Sequence, residues 1–326
     1  MRFGVFLLAG RFPGQTDAQA LRRASDAVVW AEQAGFDSAW IAEHHFMSYG
    51  VCPSAITFAA HALARTSRIE IGTAVTVLST THPVQLAEQV TMLDQLSGGR
   101  LHLGIGRGGP WRDLEVFGTG LDRWENGFAE SLDLLLDCLT KDTVGGTGRF
   151  PFRPVPMVPQ PVTPPRVTIA CTSGDTVSIA AARGLPMLLG MDLSVAGKAA
   201  MIQSYVDSGG GPAPHIGAAL AHVGPADEVR SRMPGWLGPG LEGYVTVDGR
   251  ARKRADPVAY TEKLIAMHPV GDPGLCVRRL SERAEGIDQV ILMVDPCGDG
   301  EITGRTIRRL GAEVLPRLRG TVPDVR

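Results

Sequence analysis

No run of apolar residues in this chain approaches the ~18 needed to cross a bilayer as a helix. An excess of charge is missing too. The 32 basic and 34 acidic side chains leave a net charge of −2, which offers no footprint for nucleic acid or another polyanion. Cysteine is scarce. The five (52, 138, 171, 276 and 297) are odd in number, scattered, and never form Cys-x-x-Cys. That pattern argues against a disulfide frame or a thiolate zinc site and predicts reduced thiols in a cytoplasmic protein. The stretch from Met1 to Leu8 has one charge and lacks the length and cleavage region of a secretion signal, so it reads as a first strand. Gly-x-Ser-x-Gly and the phosphate P-loop are both absent.

What is present is alternation. Short apolar runs at Phe3–Leu8, Ala39–Ala42, Ile69–Leu78, Leu101–Ile105, Val167–Cys171, Met187–Gly190, Ile216–Val223 and Gln289–Val294 read as strands. Helical patterns separate them. The first opens on a capping box, Thr16 with Gln19, and carries Leu21, Ala24, Val28 and Ala31 on one stripe. The second is predicted from Pro53 to about Thr66, the third from Pro83. Eight strand–helix units in 326 residues predict an α/β chain folded as one (β/α)8 TIM barrel over 1–326. Seven prolines between Pro151 and Pro165 exclude a helix and disfavour a central strand. The segment 145–165 is expected to form an ordered excursion over the barrel mouth. Residues 234–256, with the basic run Arg250–Arg254, read as irregular.

The candidate chemistry sits where strands end. The second strand runs into Glu43-His44-His45, groups that donate, accept or carry protons near neutral pH. Barrel chemistry collects past the C-terminal ends of the strands. Two hydrogen-bonded histidines at a strand edge would read the same way. Adjacent strand residues point to opposite faces, so the two histidines do not suit one metal ion, and no metal site is expected. After the fourth strand comes Gly104-Ile105-Gly106-Arg107-Gly108-Gly109. Its G-x-G-x-x-G spacing lacks the immediate helix of a dinucleotide fold, so the glycines are read as room for a flat ligand and Arg107 as a phosphate ligand. After the fifth strand, Thr172, Ser173 and Thr176 precede a helix, as an anion cradle or as a plain N-cap.

The chain resembles the luciferase-like flavin monooxygenases, the luciferase α subunit in particular. The likeness runs through Phe3-Gly4, Glu43-His44-His45-Phe46, Val77-Leu78-Ser79-Thr80-Thr81-His82-Pro83-Val84, Leu93-Asp94-Gln95-Leu96-Ser97, Val116-Phe117-Gly118-Thr119, Ala182-Arg183-Gly184-Leu185-Pro186-Met187 and Pro269-Val270-Gly271. The resemblance implies a barrel that uses FMN as FMNH2, with O2, to form a C4a-peroxyflavin and oxygenate a small hydrophobic organic substrate. It implies His44, with Glu43, as catalytic; Arg107, Ser173 and Thr176 at the FMN phosphate; and a bulge at Ala74 and Val75, often with a non-proline cis peptide, behind the flavin ring. It further implies a separate flavin reductase as FMNH2 donor, a lid-like insertion loosely matched by 234–270, and a homodimer. The dimer is expected through the helices after the second and third strands, where Ile56, Ala59, Ala60 and Leu63 offer a small apolar surface suited to close helix packing. Gly106 stands where luciferases carry a reactive cysteine, which puts light emission in doubt. Glu125 or Gly127 falls where relatives often have a second phosphate arginine, with Arg123 nearby. An F420-dependent oxidoreductase and a non-catalytic flavin-binding subunit are the alternatives on the same barrel.

Overall fold

The computed structural model describes residues 1–109, 111–241 and 256–320. Eight parallel strands close into a barrel: β1 (Arg2–Leu7), β2 (Ser38–Ile41), β3 (Glu70–Thr73), β4 (Leu101–Gly106), β5 (Val167–Cys171), β6 (Met187–Leu189), β7 (His215–Leu220) and β8 (Ile287–Met293). β8 pairs with β1, from Arg2↔Gln289 to Phe6↔Met293, which shuts the ring. Behind that seam Arg23 Nε donates to Asp295 at 2.7 Å, both side chains buried. β3 breaks at Ala74–Val75, where the peptide bond is cis, and resumes as Thr76–Val77 against β4.

Strand side chains alternate between two cores, as a two-residue period demands. Phe3, Val5, Ile41, Ile71, Leu103 and Ile169 face outward. They pack under α1 (Asp17–Gln33), α2 (Ala55–Arg65), α3 (Pro83–Ser97) and the later helices α6 (Phe128–Thr140), α7 (Gly174–Ala181) and α8 (Val195–Asp207), while the short α4 (Trp111–Val116) and α5 (Gly120–Glu125) lie between β4 and α6 in the chain. α1 starts on the expected Thr16–Gln19 capping box. α2 is capped by Ser54, one residue beyond the predicted Pro53, because the Ser54 hydroxyl accepts from Thr57 N.

Inside the barrel, Trp40 fills the end at which the strands begin. Its Nε1 donates to Ser38 Oγ at 2.8 Å, and Gln289 Nε2 donates to the same oxygen at 2.6 Å. His102 lies against the indole at 4.7 Å and pairs with Thr168 Oγ1 at 2.7 Å. A Cβ at Gly72, opposite Trp40 on β3, would sit 2.3 Å from the ring, so the plug requires glycine there.

Three expectations change. The proline-rich excursion is an antiparallel hairpin, Thr143–Gly146 with Phe152–Pro156, and it runs down the side of the barrel, not over its mouth. Its tip is tied by Arg149 to Glu130 and Asp122, and its return by the amides of Val162 and Thr163 to the Asp94 carboxylate at the far end of α3. Residues 234–240 are not irregular: they finish α9 (Ala226–Gly240), with Pro234 and Pro239 inside the helix. Third, Ile56, Ala59 and Leu63 are buried within this chain, so the small apolar surface meant for a dimer is already used against the barrel.

α9 and α10 (Pro257–Met267) pack on each other across the mouth. Val229, Met233, Trp236, Leu237 and Leu264 continue the inner core upward from Leu8, Leu220 and Met293. Arg250–Arg254 lie outside the described residues. The predicted seventh strand ends early, at Leu220, and His222–Val223 pairs instead with Val270–Gly271. α11 (Pro273–Ser281) precedes β8, and α12 (Gly300–Arg309) continues through a wide turn to Arg319.

Candidate active site

The mouth is ringed by small inward-facing residues. Ala42, Ala74, Gly106 and Ala170 stand at the C-terminal ends of β2, β3, β4 and β5, four neighbours in the ring. Val75 crosses over to Gly106: a Cβ on Gly106 would lie 2.6 Å from Val75 Cγ2 and 3.7 Å from Ala170 Cβ. A cysteine at 106 therefore has no room while Val75 keeps its place.

His44 is carried on the loop after β2, which is laced to the loop after β1. Val51 N donates to Ala9 O, Arg11 N to Ser48 O, and His44 N to Cys52 O, each at 3.0 Å. The imidazole lines a cleft of about 310 Å³ with Phe46, Met47, Gly50, Val51 and Pro53, at whose rim Arg11 pairs with Asp17. Nδ1 is buried without a hydrogen-bond partner. Burial, helped by the neighbouring His45, pulls the His44 pKa down to about 4. At neutral pH the ring is uncharged and can accept a hydrogen bond or a proton.

Glu43 does something different from what the sequence suggested. Its Oε2 accepts from Ala55 N at 2.8 Å and its Oε1 from Val77 N at 3.0 Å. The carboxylate thus ties the start of α2 to the resumed end of β3. Both Glu43 oxygens are thus engaged by backbone amides. His45 turns the other way: it is buried, 3.6 Å from Glu43 Oε1, with its ring against Phe117 at 4.9 Å. Asp113 on α4 belongs to the same cluster and was not foreseen. Burial pushes its carboxyl up to about 6; Glu43 raises it further and His45 opposes.

Arg107 follows β4. Its guanidinium lies over the Trp124 ring at 4.6 Å, and no carboxylate among the described residues pairs with it. Ser173 caps α7, following β5. Ser173 Oγ accepts from Thr176 N at 3.4 Å, and Thr176 Oγ1 accepts from Ser173 N and Thr172 N, both at 3.3 Å. Thr176 is buried and its hydroxyl also donates to Ser173 O, so it builds the cap. Thr172 is exposed and Ser173 half-buried. The first-turn amides of α7 remain unpaired within the helix, as at any helix start. Arg123 does not supply a second free cation here: its Nη2 donates to Leu78 O and Thr81 O, and the guanidinium stacks on Phe150. Among the described residues no group of three or more His, Cys, Asp or Glu is placed to hold a metal.

Tyr49 and Trp236, which stack at 4.8 Å beside His44, are further site residues that periodicity could not reveal. Their contact joins positions far apart in sequence.

Comparison with known proteins places these features in context. The profile of the luciferase-like monooxygenases matches residues 1–288. The alkanal monooxygenase alpha chain of the Kryptophanaron alfredi symbiont is 35% identical over 196 residues, 58% of this chain and 54% of that one. The chain thus matches just over half the length of such curated relatives. Among solved structures, the oxygenating constituent of 3,6-diketocamphane monooxygenase from Pseudomonas putida, in complex with FMN, superposes with a TM-score of 0.80 at 19% identity over 98% of each chain. An F420-dependent secondary alcohol dehydrogenase, in complex with an F420-acetone adduct, superposes with a TM-score of 0.75 at 16% identity, covering 98% of this chain and 99% of that one. At such identities the likeness concerns the barrel.

Proposed function

The chain belongs to the luciferase-like monooxygenase family, and from that premise we propose that it is a two-component, FMNH2-dependent monooxygenase. The observation that carries this reading is the arc of four neighbouring strand ends, which sets an uncharged imidazole, a wall of small residues, a guanidinium without a carboxylate partner among the described residues and a helix start side by side. Those residues suit FMN in particular. A phosphate would meet Arg107, the Ser173 hydroxyl and the first-turn amides of α7. A flat ring would lie along Ala74–Val75, where Gly106 and Ala170 leave room. When bound, reduced FMN would supply the activation of O2 from which one oxygen atom passes to the substrate.

The protein's own part is to bind, orient and exclude water. His44 Nε2 accepts a hydrogen bond, or the proton itself, at the mouth. Glu43 keeps the loop behind it fixed. The apolar undersides of α9 and α10 keep bulk water out. The partly exposed Phe46 and Phe117 at the rim favour a small hydrophobic organic substrate. The described fold has no dinucleotide helix after β4, so a separate reductase delivers the FMNH2. We further propose that residues 1–326 act as one domain, in the cytoplasm, as a homodimer formed through surfaces other than the buried face of α2.

The test is anaerobic titration with FMNH2 and, in parallel, with reduced F420, followed by admission of O2. The expected result is preferential FMNH2 binding, flavin reoxidation slower than that of free FMNH2, and oxygen incorporation into a hydrophobic substrate. Preference for F420 with hydride transfer and no oxygen uptake would replace the reading with the oxidoreductase alternative. Failure to bind either reduced cofactor would indicate a non-catalytic subunit.

A further inference from the structure

A ring system beside the mouth remains to be explained. Trp236, on α9, is 2% exposed. It is sandwiched between Phe12, at 5.1 Å and 18°, and Tyr49, at 4.8 Å and 5°. Tyr49 in turn presents an edge contact to His44, with centroids 5.0 Å apart and planes at 87°. Phe12 lies on the loop after β1, Tyr49 and His44 on the loop after β2, and Trp236 on the helix over the mouth. Three separate parts of the chain meet in one stack.

Two glycines are shaped to it. A Cβ at Gly10 would stand 2.6 Å from Trp236 Nε1, and one at Gly50 would stand 2.5 Å from His44 Nδ1. The indole Nε1 is buried and has no hydrogen-bond partner, so Trp236 is held here by ring contact and not by polar anchoring. The helix around it is weak by construction. Pro234 and Pro239 bracket Trp236, and each removes a backbone N–H from the helical ladder. With the ladder interrupted on both sides, the stack joins the core packing of Met233 and Leu237 in fixing this end of α9.

We propose that Trp236 and Tyr49 are positioning residues for His44. Trp236 seats α9 on the barrel, Tyr49 transmits that seating to the imidazole, and the helix over the mouth and the acid–base residue form one mechanical unit. This rests on the reading of His44 given above for its consequence in turnover, but the latch itself is a property of the apoprotein.

The apoprotein therefore supplies the first readout. With histidines isotopically labelled, the His44 ring can be followed by NMR as pH is varied, its signal assigned by its loss in His44→Gln. Among the described residues the charged and titratable groups around the ring are Tyr49 against it, His45, Glu43 and Asp113 behind it, and Arg11 and Asp17 across the cleft; of these the substitutions below alter only Tyr49. In the wild type the ring should titrate near 4. Trp236→Ala admits water and frees Tyr49, so the midpoint should rise by about one unit or more toward the ordinary ~6.5. Trp236→Phe, which keeps a stacking ring, should hold the wild-type midpoint. Tyr49→Leu should behave like Trp236→Ala, and Tyr49→Phe like the wild type.

The second readout is the loaded enzyme. Trp236→Ala and Tyr49→Leu should lower product turnover about tenfold or more while FMNH2 affinity stays within about threefold, the signature of a group that acts on the reactive step. The two conservative variants should restore turnover. A folded Trp236→Ala protein, verified by near-UV circular dichroism, with an unmoved His44 midpoint would overturn the latch. If that variant fails to fold, Tyr49→Leu decides: an unchanged midpoint there overturns the proposal equally. A midpoint that moves as stated, in an enzyme whose wild type makes no oxygenated product, leaves the latch standing and removes the functional reading instead.

Discussion

The two ends of the barrel interior are built on opposite terms. At the end where the strands begin, a large ring fills the bore, a glycine makes space for it, and Ser38, Gln289, His102 and Thr168 bond one another around it. At the end where they finish, the same inward-facing rows carry alanine and glycine, and the histidine there lines a cleft. Both ends bury an imidazole, and burial lowers both, His102 to about 3 and His44 to about 4. The first is closed in by a hydroxyl partner and serves packing; the second faces a cleft and is available to a ligand. The contrast teaches that volume placed at one end permits volume withheld at the other.

Emptying the closed end should produce the largest effect. Trp40→Ala is expected to destabilise the fold by about 3–5 kcal/mol, read from urea unfolding midpoints, because a buried ring leaves a cavity that closed strands cannot collapse into. A loss below ~1 kcal/mol would mean that the plug does not hold the barrel.

At the open end the effect should fall on turnover instead. His44→Ala should cut product formation by at least about a hundredfold, with little change in the unfolding midpoint and with FMNH2 affinity within a few fold. His45→Ala, from within the cluster, should do the reverse and lower stability first. If the two variants exchanged phenotypes, the assignment of the open ring would be wrong.

A smaller change is expected at the phosphate end. Arg107→Ala should weaken FMNH2 binding by about tenfold, the equivalent of ~1.4 kcal/mol for a charge-assisted bond. Riboflavin binding, measured alongside, should hardly change. Equal losses for both ligands would place Arg107 elsewhere.

The smallest effect is a flat pH profile. Because the folded pKa of His44 is depressed, the ring is uncharged at every pH above about 4. Its contribution to turnover should therefore vary by less than about twofold from pH 8 to 5.5 and fall only as pH drops through about 4. An acid limb near 6.5 would show an imidazole solvated like one in a peptide.

The barrel was legible because each unit announces itself locally. Apolar runs mark strands, Thr16 and Gln19 mark a helix start, and Ser97-Gly98-Gly99 a helix end. The candidate residues His44, Arg107 and Ser173 stood out for a related reason: each stands just past a strand. What escaped depends on partners distant in the chain. Glu43 looks catalytic beside two histidines until Ala55 and Val77 are seen to engage both oxygens. The part Thr176 plays in the cap shows only once its hydroxyl is seen to accept from the Ser173 amide. The proline-rich hairpin is routed by Asp94, 68 residues before Val162. Pro234 and Pro239 argued against a helix that packing on the inner core nevertheless maintains.

The seam between β1 and β8 has a bearing on how the molecule is made. Residues 2–6 find their second neighbour only in residues 289–293, and Arg23 meets Asp295 across the same gap. During synthesis the leading strand emerges early from the ribosome and waits, one edge unpaired, until nearly the whole chain has followed. Through that interval the nascent barrel is an open, curling sheet whose exposed edge invites pairing with other chains. The ring can close only when the last strand arrives, which makes the junction of the first and last barrel strands the place where assembly is completed.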